Sequence, residues 1–164
     1  KQNNRQKAKK EINDVIRPKF TKDDINPERR KSVKGVAAEE TLIAVLLQHP
    51  DFLGIAKENL PSDKMITDLN RRAYKVLLDS YENGTVIDIS VFGQRFSAGE
   101  VGYLVSLQNG NKAGNNPKTV LKDCIKVILE ENAILNSQSS QDESVEDWAK
   151  KLQEIINKKS KGKG

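Results

Sequence analysis

Ala38-Glu39-Glu40-Thr41-Leu42-Ile43-Ala44-Val45-Leu46-Leu47-Gln48-His49-Pro50 is the stretch on which the fold turns. Ala38, Leu42, Val45 and Leu46 fall on one helical face, with Ile43 and Leu47 beside them. Glu39 and Glu40 lie in the first turn, where the helix dipole favours acids. His49-Pro50-Asp51 stops this helix and caps a second one carrying Phe52, Leu53, Ile55, Ala56 and Leu60. Pro61-Ser62-Asp63 is the next stop.

Downstream the helical spacing recurs. Leu69, Ala73, Val76, Leu77, Ser80 and Tyr81 predict a longer helix over Asp68–Asn83, with Gly84 suited to the left-handed position that ends it. Thr85-Val86-Ile87-Asp88-Ile89 has no strand-like run nearby to pair with, so it reads as an extended connector. Asp88 or Ser90 then caps a short helix through Phe92 and Phe96. Val101, Leu104, Val105 and Leu107 predict a helix over Ala98–Gln108, and Asn109–Asn116 is a loop rich in Asn and Gly. Pro117 suits the first turn of a helix running to Asn136. The polar, Ser- and Gln-rich stretch 136–143 reads as a turn before a last helix over Glu143–Lys158. The expected fold is all-α: a bundle of short helices followed by a C-terminal helical hairpin.

Composition and charge narrow the function. The 164 residues hold Leu, Ile, Val and Phe at about a quarter of the chain, enough for a modest core. No apolar run approaches the ~20 residues that a membrane helix needs, and the polar N-terminal stretch carries no secretory signal. Lys1 in place of Met reads as a piece cut from something larger, and the expected compartment is the cytoplasm. Cys124 has no second cysteine to pair with, and one Cys with one His does not make a structural zinc site. The net charge of +5 is uneven: +7 over 1–36, −6 over 37–157 and +4 over 158–164. An acidic body argues against a phosphate-gripping surface, while the basic ends allow weak, salt-sensitive nucleic-acid contact. The expected organisation is a basic, largely flexible extension over 1–36, a bundle over 37–116, a hairpin over 117–159 and a flexible tail over 160–164. A short helix over Gln6–Ile16 is allowed within the extension, and Pro18 and Pro27 break anything longer.

Catalytic signatures are missing. Gly110-Asn111-Lys112-Ala113-Gly114 lacks the spacing and the Lys-Ser/Thr pair of a phosphate-binding loop, and no Asp-x-Asp pair seats magnesium. Asp142, Glu143, Glu146 and Asp147 cluster at a helix start, where they complement its dipole. His49 reads as structural or exposed, and Cys124 as a buried inert thiol. Phe52, Tyr74, Tyr81, Phe92, Phe96 and Tyr103 take core-like positions rather than forming a stacking platform. No enzymatic activity and no cofactor or metal are expected.

The hairpin carries more apolar surface than two helices can cover. Its first helix has two adjacent stripes, Leu121, Ile125, Ile128 and Leu135 beside Val120, Cys124, Val127 and Ile134. Its second carries Val145, Trp148, Ala149, Leu152, Ile155 and Ile156. The surplus at Ile134, Leu135 and the outer edge of the Trp148 helix is expected to meet a partner. The alternative is that Trp148, Leu152 and Ile155 fold back on the first helix.

The order of segments resembles the C-terminal, helicase-binding domain of bacterial DNA primase. The resemblance rests on Ala38–Pro50, on Asp68-Leu69-Asn70-Arg71-Arg72-Ala73-Tyr74-Lys75-Val76-Leu77-Leu78, on the Tyr81-Glu82-Asn83-Gly84 exit and on the terminal hairpin, and it spans 37–159. It implies a non-catalytic interaction domain that binds the N-terminal domains of the hexameric replicative helicase, recruits primase to the fork and modulates the helicase. The zinc and polymerase parts of primase are not in this sequence. By position, Ile134, Leu135, Trp148, Leu152, Ile155 and Ile156 match the family's partner-binding hairpin, and the piece itself is expected to be monomeric. The Gly84-Thr85-Val86-Ile87-Asp88 exit also resembles the N-terminal domain of the replicative helicase, which stays open as an alternative. So does a weak nucleic-acid-binding module acting through the basic tails.

Overall fold

The computed structural model describes residues 21–110 and 113–161. The Gln6–Ile16 helix, Pro18 and the last three residues of the expected tail lie outside this range. The fold is all-α, with no strand among the described residues. Its helices are α1 (Lys22–Ile25), α2 (Val33–Gln48), α3 (Leu53–Asn59), α4 (Asp68–Glu82), α5 (Ala98–Asn109) and α6 (Pro117–Lys161). Short 3-10 turns at Pro27–Lys31, Pro50–Phe52, Ser62–Lys64 and Ile89–Phe92 join them.

Helix α2 is the axis of the bundle. It packs against α4, α5 and the first part of α6, and every residue from Leu42 to Leu47 is buried. A helix apolar all round belongs inside, so the single face expected from spacing understates it. Leu53, Leu60, Met65, Tyr74, Leu77, Phe92, Leu104, Leu107 and Leu121 fill the space around it. Fully burying each large side chain contributes about 1.5–3 kcal/mol before conformational entropy is set against it. Tyr74 sits fully inside because its hydroxyl donates to Leu60 O at 2.9 Å.

The punctuation mostly falls where the sequence places it. Gly84 ends α4 with φ +64, a left-handed value that a side chain resists. Asp88 accepts from Ser90 N at 2.8 Å and opens the turn toward Phe92. Ser97 and Glu100 form a capping box on α5. Asp51 does not cap α3: the chain enters that helix from a 3-10 turn, with Phe52 at the cap position.

Two readings need correction. The stretch 21–36 is not a flexible extension. Thr21 and Asp24 form a capping box on α1, Asn26 is buried and donates to Thr67 Oγ1 at 3.2 Å, and Arg29 Nε donates to Glu40 Oε1 at 2.7 Å. Helix α2 itself starts at Val33. Polar side chains tie this segment down, and a hydropathy pattern does not register them.

The expected hairpin is instead one continuous helix, α6, of 45 residues, about 68 Å long at 1.5 Å per residue. No Gly or Pro lies between Lys118 and Lys161. Ser and Asn cost only a fraction of a kcal/mol each in a helix and Gln is a good helix former, so the Ser/Gln run has nothing that forces a turn. Ser160 and Lys161, expected in the tail, also belong to α6.

The early start of α2 moves Glu39 and Glu40 from its first turn to its buried middle. Glu39 accepts from Ile66 N, from Thr67 N at 3.3 Å, from Thr67 Oγ1 at 2.9 Å and from Asn70 Nδ2 at 3.0 Å. The Tyr103 hydroxyl donates to Glu40 Oε1 at 2.9 Å and reaches Asn70 Oδ1 at 3.2 Å. Among the described residues no buried side-chain N or O lacks a hydrogen-bond partner. Burial raises the Glu39 carboxyl pKa above its ordinary value, against the pull of the four donors. Glu39→Ala strands those donors, so urea titration should show a loss of about 3 kcal/mol or more. The folded state holds the Glu39 proton to higher pH than the unfolded chain, so its contribution is largest on the acid side. The gap between wild type and Glu39→Ala should therefore narrow as pH rises through and above the ordinary glutamate range. A gap that widens would contradict the buried, proton-retaining carboxyl.

Candidate protein-interaction surface

Helix α6 begins with a polar lock. Pro117 takes its first position and Asn116 Oδ1 accepts from Thr119 N at 3.3 Å. Leu121, Cys124, Ile125 and Ile128 then enter the core. One turn on, Glu131 accepts from Ser32 Oγ at 2.8 Å and has Lys34 Nζ at 3.8 Å. Gly35 of α2 lies against this point, since a Cβ there would stand 3.0 Å from Glu131 Cβ and closer still to Ile66. The absence of that atom lets α6 approach α2.

Past Glu131 the helix runs along a polar cleft of about 480 Å³ and then leaves the bundle. Leu135 lines this cleft half-buried, facing Lys31, Lys64 and Arg71. Those cations are already matched: Lys31 by Glu28, Lys64 by Asp63 at 3.9 Å, and Arg71 by Met65 O at 2.8 Å and Asp68 at 3.7 Å.

From 146 to 159 every residue is exposed. Trp148 is 65% exposed, Ile155 53%, Ile156 58% and Leu152 39%. Twenty-seven residues separate Leu121 from Trp148, Ile125 from Leu152 and Ile128 from Ile155. At about 100° per residue this is some seven and a half turns, so the distal stripe faces the side opposite the core. Ile134, 50% exposed and eighteen residues before Leu152, lies about five turns from it and shares its face.

The structure thus brings Ile134, Trp148, Leu152, Ile155 and Ile156 to one side of α6 and turns Leu135 toward the bundle. Trp148, Leu152 and Ile155 do not fold back on the preceding turns, because those turns belong to the same straight helix. The half-turn offset was legible in the numbering, but it has meaning only once the helix is known to be continuous.

The other candidate residues sit elsewhere in the bundle. His49 is half-buried and stacks on Phe52 with ring centroids 5.3 Å apart. Cys124 is buried on the core side of α6. Among the described residues no group of three His, Cys, Asp or Glu is placed to hold a metal, and no helix is long and apolar enough to cross a membrane. Phe92 and Phe96 pack edge to face inside the core, whereas Tyr81 is 43% exposed, against the core-like position expected for it. No family model, no curated protein and no solved structure matches the chain.

The continuous helix has a direct test. Spin labels at Lys122 and Lys158, in a Cys124→Ala background, should lie about 54 Å apart by electron-electron resonance. A hairpin turning at 136–143 would bring them to about 10–20 Å.

Proposed function

We propose that this chain is a non-catalytic docking module that grips another protein with the projecting half of α6. The observation that carries the reading is the row Trp148, Leu152, Ile155 and Ile156, exposed and directed away from the core of the chain itself. Exposed apolar rows of this kind on a helix are surfaces for a groove in a partner. Trp148 is the natural anchor, since an indole buries a large area at small entropic cost.

The resemblance to the helicase-binding domain of bacterial primase supplies the partner: the N-terminal domain of the hexameric replicative helicase. In this reading the bundle is the rigid base and α6 the arm that holds primase at the fork. Four or five anchors at about 1.5–3 kcal/mol each stand against an association cost of about 4–15 kcal/mol. The balance favours a contact that is reversible rather than permanent.

Calorimetric titration of the chain into the helicase N-terminal domain, with single-stranded DNA in a parallel cell, tests this. Saturable, largely salt-insensitive heat with the helicase is expected, and replacement of Ile155 and Ile156 by Asp should lower affinity at least tenfold with helicity unchanged. No heat with helicase, together with salt-sensitive heat with DNA, would overturn the reading in favour of nucleic-acid binding through the basic ends.

A further inference from the structure

We infer that the groove between α1 and α5 is the seat of Phe20, and that this contact fastens the basic segment 1–20 to the bundle. The groove is largely apolar and about 420 Å³ in volume. Thr21 and Ile25 form one wall, and Ala98, Gly99, Gly102 and Tyr103 form the other. The described chain therefore begins on the wall of the groove itself, one residue after Phe20.

Local chemistry selects the occupant. Thr21 and Asp24 close a capping box on α1, with Thr21 at the cap position. At such helix starts an apolar residue just before the cap packs on the fourth residue of the helix and fixes the angle at which the chain enters. Here those two positions are Phe20 and Ile25. Ile25 is half-buried, rests on the core and lines the groove, so a ring packed on it enters the groove. Phe20 is the only aromatic residue among the first twenty. A single peptide bond ties it to Thr21, so it competes for the site at a high effective concentration.

The opposite wall is bare in the way a close-lying ring requires. Ala98, Gly99 and Gly102 are exposed. A Cβ at Gly99 would stand 3.1 Å from Ile25 Cδ1, which accounts for glycine at that position. A Cβ at Gly102 would meet nothing within 4 Å among the described residues. Glycine inside a helix is unfavourable relative to alanine, and no described neighbour asks for it at 102. A phenyl ring resting on Ile25 and against the α5 backbone does. The seven Lys and Arg of 1–19 are thereby anchored beside α5. The inference is independent of the exposed face of α6.

Nuclear magnetic resonance of the full chain tests it. Overhauser contacts are expected from the Phe20 ring to Gly102 Hα and to an Ile25 methyl, with Gly102 Hα shifted upfield by the ring. Phe20→Ala should abolish that shift while the core resonances of Phe92 stay in place. Urea titration closes a thermodynamic cycle. In a Phe20→Ala background, where the wall is open, Gly102→Ala should raise the ratio of folded to unfolded chain about two- to fivefold. With Phe20 present the same substitution should give no gain. Absence of any contact between Phe20 and Gly102, or an equal gain from Gly102→Ala in both backgrounds, would overturn the inference. Contacts that fade on dilution would assign the groove to Phe20 of a second copy and overturn it as well.

Discussion

An α-helix that meets no glycine or proline has no local reason to stop, and α6 meets neither between Lys118 and Lys161. Its first half is held by Leu121, Ile125 and Ile128 in the core and by Glu131 against Ser32. The backbone hydrogen-bond ladder then carries that orientation outward, into a stretch, 146–159, whose residues are exposed. The bundle therefore fixes where Trp148 points without contacting it. Because the apolar rows at 121–128 and 148–155 lie half a turn apart, one rigid rod serves the core on one side and presents an open stripe on the other.

The base of that rod is stiffened by polar groups as much as by apolar ones. Glu39 and Glu40 sit inside α2 and gather Arg29, Asn70, Thr67 and Tyr103 around them, linking α2 to the 3-10 turn at Pro27–Lys31, to α4 and to α5. A buried carboxylate is costly unless its acceptors are filled. Here the four donors to Glu39 come from the Ile66–Asn70 stretch, so the pair makes the geometry of that stretch specific rather than simply adding stability. The same network draws 21–31 onto the bundle.

Much of the fold could be read from local chemistry. Gly84, Asp88 and Pro117 act through backbone conformation and capping, which a sequence displays residue by residue, and the helix ends they mark lie within a few residues of expectation. Two things were not legible. A Ser- and Gln-rich run looks like a turn by composition, but no residue in it opposes the helix strongly, so the helix on both sides passes through. The role of Glu39 and Glu40 depends on donors 11 to 63 residues away, and no periodicity in the sequence encodes that distance. Of the six candidate contact residues, five share an exposed side and Leu135 turns inward, a division that only the continuity of α6 decides.

Trp148 is the chain's single tryptophan and stands at the centre of the account. Its emission, followed with dilute chain as the helicase N-terminal domain is added, is the most direct measurement of the docking claim. Free, the exposed indole should emit as a water-exposed fluorophore; at saturation the spectrum should shift to the blue as the ring is buried in the partner. A spectrum that stays red while binding is demonstrably complete would contradict the account, because the partner would then be held by some part of the chain other than the projecting face of α6.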